Sequence, residues 1–370
     1  SDPDLDEDIN EVLKQIRLNL QTTDLFEVLK KQAPIPTDNN QNPVSEIGVE
    51  SMPDFQKYTP LAIGAILVAE FSYDPLRNIE IKIRLWDALD ERQLFGKFYL
   101  ASKDNINKVS NIISDEIFKA IAGETLGHFS SKILYVSESG GAKKRTKKLA
   151  IMDFDGKNNK YLTDGRDLVL TPIFSKNPNE IYYLRYFNNK SQIFSLNLHN
   201  LRSKKVGGFR GTTYAAAAHP TKENILLLSA IIKNNSDIYE LDLDTNIARR
   251  LTKNKAIDTT PSYSPDGKFI TFASDRSQGQ QIYVMDVKGL SIARISHAGG
   301  AYAKPVWSPD GRLIAFTKMK GGKFHIGVMI PNGKGEKILK SDYMVEGARW
   351  SPNGRYLISV SYTHLTLPTK

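Results

Sequence analysis

Pro261-Ser-Tyr-Ser264-Pro-Asp-Gly267-Lys-Phe-Ile-Thr-Phe-Ala273 is the stretch whose reading decides the fold. It returns as Pro305-Val-Trp-Ser308-Pro-Asp-Gly311-Arg-Leu-Ile-Ala-Phe316 and as Ala348-Arg-Trp-Ser351-Pro-Asn-Gly354-Arg-Tyr-Leu-Ile358. Two worn copies come earlier, Pro172-Ile-Phe-Ser175-Lys-Asn-Pro178 and Ala216-Ala-Ala-His219-Pro-Thr-Lys222. The anchor positions 175, 219, 264, 308 and 351 lie 44, 45, 44 and 43 residues apart. A fixed period of this size marks a repeat architecture.

Each complete unit has the same grammar. In the unit opened by Pro261, Ser262–Pro265 is read as a first strand running into Asp266-Gly267, a pair suited to a tight turn because both residues tolerate positive φ. Phe269–Ala273 is a second strand, Gln281–Asp286 a third and Ser291–Ile295 a fourth, with Ser274–Gly279 and Val287–Gly289 as turns. The third strand recurs as Leu149–Asp153, Gln192–Leu196, Asp237–Asp242 and Phe324–Met329. Four short antiparallel strands in about 44 residues predict a β-propeller blade. Helical repeats of similar period need apolar spacing that is absent, and a sandwich would not require a recurring four-strand unit. Second strands near 133, 181, 225, 269, 313 and 357 predict six blades, with five as the alternative count. The first unit lacks its inner strand, and the last, Ala348–Tyr362, lacks its third and fourth. Thr363–Lys370 does not continue the period and is expected to be an atypical tail.

The 370 residues contain no cysteine, which excludes disulfides and thiolate metal sites. No apolar run reaches the length of a membrane span, and the acidic start carries no signal peptide. Residues 1–127 hold 13 Lys+Arg and 22 Asp+Glu, whereas residues 128–370 hold 37 and 19. An acidic front joined to a basic back predicts two domains, the second suited to acidic partners. In the front domain, Ile9, Val12, Leu13, Ile16 and Leu20 share a helical face, with Asp6 or Asp8 as the expected cap. Residues 32–60 read as a loop. Leu61–Phe71, Ile79–Leu85 and Leu94–Leu100 read as strands, the first with a buried run to Ala69. A second helix from Asp104 carries Ile106, Val109, Ile113, Ile117 and Ile121, and Gly123 stops it. The predicted fold is therefore a small α/β domain over residues 1–127, then an all-β propeller over 128–362 with an incomplete last blade.

The Ser-Pro-Asp-Gly repeat with its Ile-Tyr-Val-Met-Asp strand, at 264–286 and 308–329, resembles the WD40-like repeat of the TolB family and of prolyl-oligopeptidase propellers. The α/β front domain favours the TolB family, and Ser114–Glu124 followed by Ser131–Val136 is similar to that family's domain junction. The resemblance runs from about Asp8 to Tyr362. It implies a periplasmic, non-enzymatic scaffold of the Tol–Pal envelope system supporting outer-membrane integrity and cell division. Its implied partners are the peptidoglycan-associated lipoprotein at the propeller mouth and TolA through an N-terminal segment that would precede Ser1. It implies a monomer and no cofactor.

Propeller geometry places the loops leading into each inner strand on one face, with the second-to-third-strand turns. The candidate partner-binding positions there are Arg166, Asp167, Thr212, Thr213, Tyr214, Asp258, Thr259, Thr260, Tyr302, Lys304 and Glu346, which vary from blade to blade while the turns of the opposite face do not. A basic loop, Lys143, Lys144, Arg145, Lys147 and Lys148, is expected on the same face, with Arg276, Lys320 and Lys323, as a steering surface for an acidic partner. Nucleic acid is not expected, because aromatics are not interleaved with these cations. Histidines 128, 199, 219, 297, 325 and 364 lack metal-ligand spacing, and Asp153/Asp155 lacks a full calcium-loop run. The alternative, a substrate-gating propeller of a serine peptidase, requires a Gly-x-Ser-x-Gly elbow, which the chain lacks.

Overall fold

The computed structural model describes residues 2–29, 48–141, 144–187, 190–207 and 211–361. The chain divides into two compact units, Ser1–Ser131 and Lys132–Lys370. The division falls four residues beyond 127 because the Asp115 carboxylate gathers the residues that follow. It accepts the backbone N–H groups of His128 at 2.7 Å, Phe129 at 2.8 Å and Ser130 at 2.9 Å.

The first unit contains α1 (Pro3–Gln21), β1 (Ala65–Tyr73), β2 (Ile79–Asp87), β3 (Arg92–Ala101) and α2 (Ile106–Ala122), with a sheet of order β1-β2-β3. α1 is capped by Asp2, whose side chain accepts from the Asp4 N–H, with proline following at the first helical position. Asp8 is therefore free for another role: it is buried and accepts the Tyr73 hydroxyl at 2.7 Å. The two helices meet over Val12, Ile16, Ile113 and Ile117, all buried. Asn19 sits in the same seam, donating to Asn111 at 2.7 Å and Ser114 at 3.0 Å. Ile121, expected on the apolar face, is exposed in the last turn before the Gly123 cap. β1 starts four residues later than Leu61, because Thr59–Leu61 forms a 3-10 turn, and it is only half-buried because it is a sheet edge.

Six sheets follow. The first is β4 (Lys132–Ser139), β5 (Thr146–Asp153) and β6 (Lys160–Tyr161). The second is β7 (Val169–Phe174), β8 (Glu180–Phe187), β9 (Lys190–Asn197) and β10 (Ser203–Lys205). The third is β11 (Thr212–Ala218), β12 (Ile225–Ile232), β13 (Asn235–Asp242) and β14 (Ala248–Arg250). The fourth is β15 (Asp258–Tyr263), β16 (Phe269–Ser274), β17 (Gln281–Asp286) and β18 (Ile292–Arg294). The fifth is β19 (Ala301–Trp307), β20 (Ile314–Lys320), β21 (Lys323–Met329) and β22 (Lys337–Asp342), and the sixth is β23 (Val345–Trp350) with β24 (Leu357–Ser361). Every pairing is antiparallel between chain neighbours, which is the meander of a propeller blade. By register, β4 corresponds to a second strand, while β23 and β24 are a first and a second.

Cores lie between successive sheets, so strands are buried on both faces. Leu226 and Leu228 of β12 pack back on Tyr182 and Leu184, whereas Leu227 between them faces Ile270 and Phe272. This is why β12 reads as an unbroken apolar run rather than an alternation. Comparable seams join the first and second, fourth and fifth, and fifth and sixth sheets. Each large apolar side chain so buried contributes about 1.5–3 kcal/mol, more than any single turn.

The repeated turn is more specific than a generic hairpin. Ser264 Oγ accepts the Phe269 N–H at 2.9 Å and donates to Asp266 at 2.6 Å, while Asp266 accepts the Lys268 N–H. Gly267 N–H closes onto Ser264 O at 2.9 Å. Only Gly267 has positive φ, +70°; Asp266 does not. Its carboxylate is instead held below its ordinary pKa, first by the Ser264 hydroxyl. Ser308 and Ser351 repeat the arrangement. His219 substitutes for the serine: its Nδ1 accepts the N–H groups of Thr221 and Lys222, both at 3.2 Å.

Candidate partner-binding face

The first strands β7, β11, β15, β19 and β23 lie against one another in sequence, one per sheet. Counting back from each anchor aligns them. The residue six positions before it is buried in every repeat: Val169, Thr213, Asp258, Tyr302 and Val345. The residue five before it, Leu170, Tyr214, Thr259, Ala303 or Glu346, is half-buried. Four before it the backbone turns left-handed at Thr171 (φ +41°), Thr260 (+50°), Lys304 (+50°) and Gly347 (+72°). Ala215, the fifth member, does not. At this level each first strand carries a bulge against its second strand. A β-branched residue at positive φ is unfavourable, and neighbouring intersheet burial sustains it.

This geometry moves the candidate residues from loops into strands, except Arg166 and Asp167, which precede β7. The inner strand, expected over Ser262–Pro265, begins instead at Asp258, and the bulge at Thr259–Ser262 breaks the two-residue alternation that would mark it in sequence. Both carboxylate oxygens of the fully buried Asp258 accept from Arg276 Nη2, at 2.8 and 2.9 Å. Arg276 lies 5.1 Å over the Phe272 ring and 4.9 Å over Tyr283, so it is a packed tie, not an outlying steering charge. Tyr302, also fully buried, donates to Glu336 at 2.7 Å, and Lys318 reaches the same carboxylate at 2.6 Å. Burial holds the Tyr302 hydroxyl above its ordinary pKa, with Lys318 pulling the other way. Thr213 is buried and Thr212 half-buried; Tyr214 hydrogen-bonds Ser236.

Next to this tier Thr259, Lys304 and Glu346 are only half-buried. Lys304 Nζ meets Glu346 Oε2 at 2.6 Å, joining the fifth and sixth sheets, with side chains 40% and 34% exposed. A pair this accessible is worth about 0–1 kcal/mol, so exchanging it for a partner's groups is inexpensive. The Asp258–Arg276 pair is different: breaking a buried pair costs about 3–5 kcal/mol. Asp167 pairs with Arg185 at 2.7 Å, and Arg166 is open to solvent.

The basic loop is partly neutralised. Glu138 takes Arg145 at 2.7 Å and Lys147 at 3.3 Å, and Lys148 lies 4.9 Å over the Tyr161 ring. Lys144 is exposed, and Lys143 lies outside the described residues. Lys320 and Lys323 flank Gly321-Gly322, both at positive φ, at an exposed hairpin tip. Leu170, Ala303, Thr171 and Gly347 share the register of the selected residues but carry no chemical signal in sequence. Only their fixed spacing from the serine anchors marks them. No metal-holding group of His, Asp or Glu occurs among the described residues, and no helix there is long and apolar enough to cross a membrane.

The sequence profile of the TolB β-propeller domain, PD40, matches residues 118–366. The chain belongs to the TolB β-propeller family. It is 37% identical over 281 residues to the Tol-Pal system protein TolB of Gluconobacter oxydans (strain 621H), an alignment covering 76% of this chain. The chain matches 62% of that curated relative's length. The crystal structure of TolB from Acinetobacter baumannii is similar over 94% of this chain and 84% of that one, with a TM-score of 0.79 and 25% identity. A putative TolB from Agrobacterium tumefaciens matches 62% of this chain and 91% of its own with a TM-score of 0.53 and 19% identity, a likeness of fold.

Proposed function

We propose that this chain is a non-enzymatic, periplasmic scaffold of the Tol–Pal envelope system, binding the peptidoglycan-associated lipoprotein on the first-strand face and coupling to TolA. The observation that carries the reading is the 37% identity to a Tol-Pal system protein TolB. Supporting it, the face built on Thr259, Lys304 and Glu346 changes chemistry from blade to blade beside a tier that is buried in every repeat, as a specific protein contact requires. On the opposite face the first-to-second-strand turn recurs as Ser-Pro-Asp-Gly or Ser-Pro-Asn-Gly in the last three repeats, which offers a protein partner little to distinguish.

The test uses purified lipoprotein and the full chain in a direct binding assay. Thr259→Ile, Lys304→Glu and Glu346→Lys each weaken binding about tenfold or more. The double exchange Lys304→Glu/Glu346→Lys rebuilds the ion pair in reverse and separates pairing from contact with the partner. Unchanged affinity in all three single variants places the contact elsewhere, and peptidase activity of the pure protein would overturn the class. Asp258 is unsuitable for this purpose, because its loss would report on folding.

A further inference from the structure

The first-to-second and third-to-fourth strand turns lie on the face opposite the first-strand bulges, as antiparallel four-strand order requires. At the outer margin of that face, Ile247 and Leu290 are 66% and 77% exposed. Lys288, in the same turn as Leu290, and Lys334 and Lys337 of the next blade are exposed, with no carboxylate in ion-pair range among the described residues.

Asp244, in the turn that holds Ile247, is exposed and accepts from Asn224 at 2.9 Å, whereas Asp286, Glu336 and Glu240 are taken up by other groups. Asp286 accepts the backbone N–H groups of Lys288 and Ser291, both at 2.7 Å, and Glu336 is taken by Lys318 and Tyr302. Glu240 is shared by Arg249 at 2.8 Å and Tyr263 at 2.9 Å.

These turns form one continuous strip. Gly289 and Gly333, at φ +76° and +83°, press against the strand ends of the preceding sheets: a Cβ would lie 2.5 Å from Leu251 O and 2.0 Å from Ile295 O. Arg249 Nη2 bridges the third and fourth sheets by donating to Val287 O at 2.9 Å. The outer turns of three successive blades therefore share this face, with exposed aliphatics on the third and fourth and exposed lysines on the fourth and fifth.

We infer that this strip docks on an anionic lipid surface. Lysines on an outer strand such as β22 also deter edge-to-edge pairing, which accounts for Lys337. Lys288 and Lys334 sit in turns, where there is no strand edge to guard. A dissolved polyanion would match the cations but make no use of Leu290 or Ile247, whereas a headgroup layer takes cation and aliphatic together. The strip lies opposite the proposed protein-binding face, so both can be occupied at once.

The test is co-sedimentation of the full chain with vesicles of 30% phosphatidylglycerol in phosphatidylcholine, against vesicles of phosphatidylcholine alone. The chain is expected to pellet with the first only, and less so as salt rises. Lys288→Gln/Lys334→Gln should weaken association about 25-fold, from about fivefold per cation. Leu290→Ser, with charge unchanged, should weaken it about tenfold. Absence of binding to the anionic vesicles overturns the inference. So does binding insensitive to Leu290→Ser, which would mark a contact with polyanions in general. Since the side chains are exposed, unchanged thermal midpoints are expected and confirm that the variants are folded.

Discussion

Gly267, Gly311 and Gly354 answer to two demands, backbone and packing, which substitution can separate. All three sit near φ +70°, where alanine costs about 1–2 kcal/mol. Their surroundings differ: a Cβ at Gly354 meets Pro309 at an ordinary 3.5 Å, at Gly311 it meets Pro265 at 3.2 Å, and at Gly267 it meets the His219 ring at 2.8 Å. In urea unfolding, Gly354→Ala is therefore expected to lose about 1–2 kcal/mol, and Gly311→Ala and Gly267→Ala progressively more. Equal losses would leave packing with no part. His219 adds a pH dependence. Burial, then Lys222, holds its pKa below the ordinary value, and its Nδ1 is already occupied as an acceptor. The unfolded chain then takes up the proton first, so this contribution is complete above about pH 6.5 and declines as pH falls through the lowered folded value. Unfolding curves at pH 7.5 and 5.0 should show a loss that His219→Ser, which restores the repeat's usual anchor, reduces.

At the scale of the element, the first strands are held in a conformation their residues resist. Thr260 is β-branched at φ +50°, and its Oγ1 is buried without a hydrogen-bond partner. Gly347 occupies the same register. Thr260→Gly is thus expected to raise stability by up to about 1 kcal/mol, the released strain exceeding glycine's entropic cost; a lowered denaturation midpoint would show that the threonine methyl packs well enough to matter more. The same bulge explains what sequence could and could not reveal. Second and third strands were legible because Phe269–Ala273 and Gln281–Asp286 keep β-branched and aromatic residues in plain order, and the third strand's bounds match the structure. First strands were legible only from their anchor end. Upstream of Ser262 the bulge inserts a residue, alternation fails, and Asp258 and Tyr302 look like polar loop residues when they are the buried tier beneath the face. Nor could sequence show that Asp8 leaves the α1 cap to Asp2, since several acids compete within one turn and only the long-range partner Tyr73 selects among them.

Over the whole molecule, the charge division has a kinetic consequence. An excess of cations over anions, 37 to 19 in residues 128–370, attracts an acidic partner over a range set by the Debye length. Raising salt from about 50 to 200 mM should slow association with such a partner in stopped-flow measurements while leaving dissociation nearly unchanged. A salt effect confined to dissociation would instead assign the charges to the bound contact, with Lys304 and Glu346 first among them.

The glycine-on-proline contact between turns also gives the array a direction. Gly311 rests on Pro265 and Gly354 on Pro309, so a repeat supports the one that follows it, not itself. Damage should consequently appear one unit downstream: Pro265→Ala is expected to speed amide hydrogen exchange around Gly311–Leu313 more than around Gly267–Phe269. Such a polarity makes neighbouring repeats unequal partners, and it would let an error in one blade be sensed by its successor before its own strands part.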